Sequence, residues 1–302
     1  MTDQTIADVP PSLRSPQTRV ASWRLLAGNP VTVASAVVLA VVLVIAVTAQ
    51  WIAPYGINDV DVPNALQSPS GAHWFGTDEL GRDVLSRVLV AVQASMRVAV
   101  VSVAFAVVVG VTVGVVAGYR GGWVDTVFMR VVDVMFAFPV LLLALAIVAI
   151  LGPGVTTTML AIGVVYAPIF ARVARASTLS VRTEPYVAVS RTIGTGHGYI
   201  LARHVLPNIS GPLIVQTSLS LAFAVLSEAA LSFLGLGIQP PQPSLGRMIF
   251  DSQGFVTLAW WMAVFPGAAI FVIVLAFNLF GDGLRDVLDP KQRTMLEARR
   301  QR

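Results

Sequence analysis

The sequence predicts an all-α integral membrane protein with six transmembrane helices. Three observations carry that reading: a composition poor in charge, six apolar runs of membrane length, and an uneven distribution of arginine. Hydrophobic residues make up 56% of the 302 residues and charged ones 12%, about half the roughly 25% typical of a soluble domain. The net charge of +4 does not point to nucleic acid, because the arginines are scattered among the apolar runs and gathered on no single polar domain. Cysteine is absent, which excludes a disulfide framework, a thiolate metal site and a cysteine nucleophile.

A helix rises ~1.5 Å per residue, so about 20 apolar residues cross ~30 Å of hydrocarbon. Six runs meet this length: 31–52, 98–117, 134–151, 156–171, 213–234 and 258–280. The second is rich in Val and Gly, and the fourth is short and contains Pro168. Packed membrane helices tolerate both features, since freed backbone groups find local partners. The first run is too long for a signal-peptide core and follows 30 mostly polar residues, which argues against cleavage. An even number of spans puts both termini on one side. Of the twenty Lys and Arg residues, only Arg82, Arg87, Arg97 and Arg247 fall on the opposite side. Lys and Arg accumulate in cytoplasmic segments, so both termini are expected in the cytoplasm. The expected organisation is a cytoplasmic tail (1–30), a first span (31–52), an extracytoplasmic segment (53–97), a five-helix core (98–282) and a cytoplasmic tail (283–302).

The largest cytoplasmic loop contains RTIGTGHGYILARHVLP, residues 191–207. Pro185 suits the first turn of a short helix, where its missing N–H would be unpaired anyway. Gly194, Gly196 and Gly198 interrupt that helix, and a second one is expected to end at Pro207. Ile200, Leu201, Val205 and Leu206 give the second helix an apolar side, Arg203 and His204 a polar one. Such a hairpin can lie on lipid headgroups or dock into a groove of another protein. It is no phosphate-cradling loop of the βαβ kind, since no strand precedes it. The single lysine, Lys291, is followed by Gln292, so no Walker A motif exists.

Outside the membrane, GTDELGRDVLSR (76–87) offers Thr77 and Asp78 as N-caps for a helix whose Leu80, Val84, Leu85 and Val88 recur at helical spacing. Asp78, Glu79, Arg82 and Asp83 are either solvated, a contact surface for an extracytoplasmic partner protein, or part of an outer gate. They form no metal site, because only the lone His73 accompanies them. Ionisable groups at membrane depth are functional candidates by default. Asp133 has Arg130 three residues earlier as a ready partner. Glu228 has no basic residue within a turn and is the candidate pathway or gate residue. Gly235, Gly237, Pro240, Pro241 and Pro243 read as a loop that caps the outer mouth or simply turns.

Residues 186–208 resemble the cytoplasmic coupling loop, often called the EAA loop, of permease subunits of binding-protein-dependent ABC importers. That pattern runs Y-V-x-A-A-R, a glycine and, after a fixed spacer, R-H-x-L-P-N. Tyr186, Val187, Arg191, Gly194, Arg203, His204, Leu206, Pro207 and Asn208 match it. GTDELGRDVLSR, Gly28-Asn29-Pro30 and the closing NLFGDGLRDVLDP (278–290) are similar to the second, or C-type, permease of the dipeptide, oligopeptide and nickel systems. The resemblance covers residues 25–291. One departure is that Ala188-Val189-Ser190 stands where the family most often has Glu-Ala-Ala. Glu184, one turn earlier, is the available substitute.

The resemblance implies an ABC importer permease of the type I fold that is not itself an enzyme. Its coupling loop (182–208) would dock on a cytoplasmic ATPase through Glu184, Tyr186, Arg191, Gly194, His197, Ile200, Arg203, His204 and Pro207. It also implies a homologous second permease, two ATPase subunits that bind ATP and Mg, an extracytoplasmic binding protein and a peptide substrate. Nickel chelates, haem and other small solutes are the alternatives. The rival class, a secondary transporter or channel, calls for more intramembrane ionisable groups or an inverted repeat. Neither is evident in the sequence.

Overall fold

The structure, a computed structural model, describes residues 29–288. The expected tails 1–30 and 283–302, with most of their basic residues, lie outside the described residues except for Asn29, Pro30 and 283–288. Among the described residues the chain is helical, with an isolated bridge between Thr77 and Asp83 in place of any sheet.

Helix α1 (Pro30–Ile52) starts where the sequence places it, because Pro30 suits the first turn and Asn29 Oδ1 accepts from the Val31 N–H at 3.0 Å. Helix α2 (Val84–Arg120) corrects two expectations at once. The outer helix and the second span are a single element of 37 residues. Its cap is Asp83 rather than Thr77 or Asp78: Asp83 Oδ2 accepts from the Ser86 N–H at 2.8 Å and from Ser86 Oγ at 2.7 Å. Asp78 has other duties, because its carboxylate already binds the Leu80 and Arg82 N–H groups.

The third span differs most from its expected form. Helix α3 (Gly122–Phe136) and helix α4 (Val140–Leu151) meet at 90°. Pro139 is the cause: it cannot donate a backbone bond, and it pushes Phe138 out of the helical region. With 12 residues, α4 reaches ~18 Å, short of a full crossing. Among the described residues five helices are long and apolar enough to span, and the bent pair supplies a sixth if it acts as one span.

Helix α5 (Val155–Val181) runs through Pro168 without a break, and α10 (Trp261–Leu288) does the same at Pro266. Between them lie the hairpin helices α6 (Pro185–Thr192) and α7 (His197–Ile200), the long α8 (Leu206–Phe233) and the short α9 (Leu245–Asp251). Contrary to expectation, Pro207 ends nothing. A π-helical turn, Leu201–Val205, carries the chain from α7 straight into α8. Pro207 falls in the first turn of α8, where a missing N–H is tolerated.

Helices α2 and α5 form the most extensive pairing in the molecule. Gly110, Gly114 and Gly118 of α2 recur every fourth residue and face α5, so the two backbones approach closely. A Cβ at Gly114 would collide with the carbonyl oxygen of Ala171. Helices α1, α8 and α10 pack around this pair over a core that includes Ile162, Phe170, Leu231 and Ile273. Asp133 is paired across to Arg172 of α5 at 2.7 Å and not with Arg130, because the fold brings the distant arginine closer than the local one.

Candidate functional site

The first arm and the glycine reversal form as expected, the second arm runs on past Pro207 into α8, and the base has a construction that the sequence did not reveal. Glu184 precedes α6 in extended conformation, and its carbonyl accepts from the Val187 and Ala188 N–H groups. Gly194 makes the reversal at φ +78°, where any side chain would be strained, and its N–H donates to the Arg191 carbonyl at 3.0 Å. From α6 and the second arm, Val187, Ile200, Val205 and Ile209 are fully buried against Val115 of α2 and Ala174 of α5. This apolar cluster is separate from the main core and sits at the end of α2 that carries Arg120.

Polar contacts reinforce the base. Arg182 Nη1 donates to the Gly118 carbonyl at 2.8 Å, and Arg175 grips Asp125 with bonds of 2.5 and 2.7 Å. Tyr119 Oη shares a hydrogen bond of 2.9 Å with His197 Nδ1, while the Arg191 guanidinium lies 4.7 Å over the Tyr119 ring. His204 sits between Tyr186 and Tyr199, with ring centroids 6.0 and 5.9 Å away. Of the expected docking residues, Ile200 is therefore an internal anchor, and His197 and Arg191 are held by Tyr119. Glu184, Tyr186, Arg203 and Pro207 are exposed, and Gly194 is open on every side. Tyr186, Val189, Ile193 and Tyr199 add an exposed apolar face; Ile193 is 74% accessible. The sequence reading missed Tyr119, Val115 and Ala174, for which the only visible sign was that GYRGG (118–122) ends an apolar run beside a basic residue.

At the other end of α2, residues 53–83 fold on their own hydrogen bonds. Asp78 accepts from the N–H groups of Leu80 and Arg82 and from Arg82 Nε at 2.6 Å, and it lies 3.5 Å from Arg87 Nε. Asp83 caps α2 and also meets His73 Nδ1 at 2.9 Å. Thr77 binds Gln67 and Asn64, and its carbonyl accepts from Trp261 Nε1 at 3.0 Å. Asp78 and Asp83 thus turn inward, while Glu79 and Arg82 are only half-buried and joined at 2.9 Å. Burial, and next the neighbouring Asp78 carboxylate, push the Glu79 carboxyl above its ordinary range.

Glu228 of α8 has no accessible surface. Ser95 of α2 donates to Oε2 at 2.5 Å and Ser232 donates to Oε1 at 2.7 Å. Ser232 Oγ in turn accepts from the Ile238 N–H at 3.1 Å, so the group ties α2, α8 and the loop before α9 together. That loop leads into α9, which packs between α8 and α10, with Gly246 against the Ala229 backbone.

Comparison with known proteins gives a consistent picture. Residues 110–294 match the family described as binding-protein-dependent transport system inner membrane component. Residues 17–69 match the N-terminal transmembrane domain of oligopeptide transport permease C. The chain is 40% identical over 281 residues to the dipeptide transport system permease protein DppC of Alkalihalophilus pseudofirmus, covering 92% of each. It is 43% identical to the probable D,D-dipeptide transport system permease protein DdpC of Escherichia coli K12, covering 88% of this chain and 90% of the other. It is 44% identical to the glutathione transport system permease protein GsiD of Escherichia coli O157:H7, covering 89% of each. Among solved structures, an inward-facing conformation of the MetNI methionine ABC transporter shares the fold. It has a TM-score of 0.52 and 19% identity, over 66% of this chain and 97% of that one.

Proposed function

From the premise that this chain belongs to the binding-protein-dependent transport system inner membrane component family, we propose that it forms half of the translocation pathway of an ATP-driven peptide importer. It is a multi-pass membrane subunit that does no covalent chemistry itself. A second, homologous permease completes the pathway, two cytoplasmic ATPases bind ATP and Mg and drive it, and an extracytoplasmic binding protein delivers the peptide. Both termini and the 182–208 hairpin face the cytoplasm.

One observation carries the mechanism: the hairpin is anchored on its inner side and open on its outer side. The exposed face of Tyr186, Val189, Ile193 and Tyr199 suits a groove on the ATPase, since an amphipathic helix docks by its apolar side chains. When the ATPases close on ATP, the displaced hairpin pushes on Val115 and Ala174 through Val187 and Ile200. Helices α2 and α5, locked backbone to backbone by the glycine stripe, then move as one body. The continuous turn into α8 carries the same displacement along that helix, and the Glu228–Ser95 bond returns it to the outer part of α2. Glu228 serves as a strut between α8 and α2. The cavity opens outward as the hairpins move inward, and hydrolysis reverses the motion.

The test is Gly194→Pro in the complete importer reconstituted in liposomes. Proline forbids φ +78° and deletes the donor to Arg191, while nothing packs within 4 Å of the Gly194 Cβ position, so the bundle stays folded. Peptide uptake and binding-protein-stimulated ATP hydrolysis are expected to fall about tenfold or more, a loss equivalent to ~1.4 kcal/mol or more. Wild-type activities in an assembled variant contradict the lever.

A further inference from the structure

A cavity of about 500 Å³ opens beside α1 and α2 toward the loop before α9. Its polar lining is Arg97, Gln50, Gln93 and Gln242, set among apolar side chains such as Leu43 and Val101, and among the described residues no acidic side chain borders it. Arg97 is exposed and enters none of the ion pairs formed among the described residues. Gln93 Nε2 donates to the Ala46 carbonyl at 2.7 Å, which fixes that amide and leaves its oxygen to accept.

The arginine's depth can be worked out from the helix. Arg97 lies 23 residues from Arg120 at the far end of α2, about 35 Å along the axis. With Arg120 at the cytoplasmic boundary, Arg97 stands at the outer edge of the ~30 Å hydrocarbon layer. Ser95, two positions earlier and about 200° round the helix, is buried and engaged with Glu228, so that carboxylate lies on the opposite side of α2 and does not neutralise Arg97. A guanidinium with no ion-pair partner among the described residues, in a cavity whose described lining is otherwise neutral, can hold an anion, and its planar fork matches a carboxylate. The volume falls within the ~300–1,000 Å³ of small-molecule sites.

We infer that Arg97 receives the C-terminal carboxylate of the peptide at the outer mouth, with the glutamine amides binding peptide groups beside it. The inference rests on the peptide reading above. It makes Arg97 a specificity-determining residue: solutes with a free carboxylate are favoured over those without.

The test uses the two permeases with their two ATPases in lipid nanodiscs, alanyl-phenylalanine as probe and alanyl-phenylalanine amide as control. Saturation-transfer NMR reads weak binding directly, without the binding protein. The wild type is expected to bind the acid about tenfold better than the amide. Arg97→Gln is expected to lose that preference, and Arg97→Lys, which keeps the charge but not the planar fork, to keep only part of it. Equal binding of acid and amide by the wild type overturns the inference. So does an undiminished preference in Arg97→Gln, or a loss of both ligands alike, which marks an arginine that only shapes the cavity or anchors α2 at the headgroups. Uptake of alanyl-phenylalanine into liposomes separates the two levels. If the wild-type importer takes none up, the peptide reading fails and the inference falls with it. If uptake proceeds while binding ignores Arg97, only the inference fails.

Discussion

The two polar insertions at opposite ends of α2 have been built in opposite ways. Residues 53–83 turn two carboxylates inward: Asp78 and Asp83 are 4% and 3% accessible and satisfied by backbone, arginine, serine and histidine donors, while Asp59 and Asp61 stay exposed. The hairpin turns its apolar anchors inward and leaves polar and apolar side chains alike in the open. The first is a finished structure, held by the charge-assisted bonds that a buried carboxylate needs. The second keeps an exposed apolar face of the kind that marks an interaction site.

That contrast predicts different responses to substitution. Asp78→Ala is expected to have the largest effect. It removes the acceptor for two backbone N–H groups and for Arg82, and it leaves the buried Arg87 without its nearby counter-charge. Breaking a buried pair from one side costs about 3–5 kcal/mol. Limited proteolysis of the purified protein should show residues 53–83 cut far faster than in the wild type, with the hairpin unaffected. An unchanged cleavage pattern would mean that Asp78 is not what holds the segment.

Glu79→Gln is the small counterpart. The folded Glu79 carboxyl titrates above its unfolded value of 4.5. Its contribution to stability is therefore fully present below that value and is lost as the pH rises through the folded one. The glutamine variant should abolish this part of the pH dependence and be slightly the more stable at neutral pH, as thermal melts at pH 4 and pH 7 would reveal. A variant whose melting temperature shifts with pH as the wild type does would remove Glu79 as the cause.

Much of this was legible in the sequence, and the failures have physical causes. Helix α1 was found almost to the residue because its apolar run coincides with the helix, which starts at the local signal Asn29-Pro30. Pro185 and Gly194 likewise fix the hairpin through backbone geometry that each carries by itself. The sequence offered Thr77 and Asp78 as caps and passed over Asp83, which is the cap. The Arg82 and Leu80 donors occupy Asp78 instead. The break at Pro139 hid inside continuous apolar composition, because hydropathy reports burial and not helix continuity. Pro207 misled in the other direction, since a π turn upstream lets the helix pass it. The anchor cluster joins residues 115, 174, 187, 200, 205 and 209, which meet only in the fold. The stripe of Gly110, Gly114 and Gly118 was in view but meant nothing until α5 lay against it.

The most direct test of the central claim, that the open face of the hairpin is where the ATPase docks, uses a chain that has no cysteine of its own. Ile193→Cys and Leu80→Cys each give one exposed thiol, on the hairpin and on the outer segment. The measurement is the rate of maleimide labelling of each variant, as the isolated permease pair and as the pair bound to its ATPases. The account predicts that ATPase binding slows labelling of Ile193→Cys about tenfold or more and leaves Leu80→Cys unchanged. Equal labelling of Ile193→Cys in both states would contradict it.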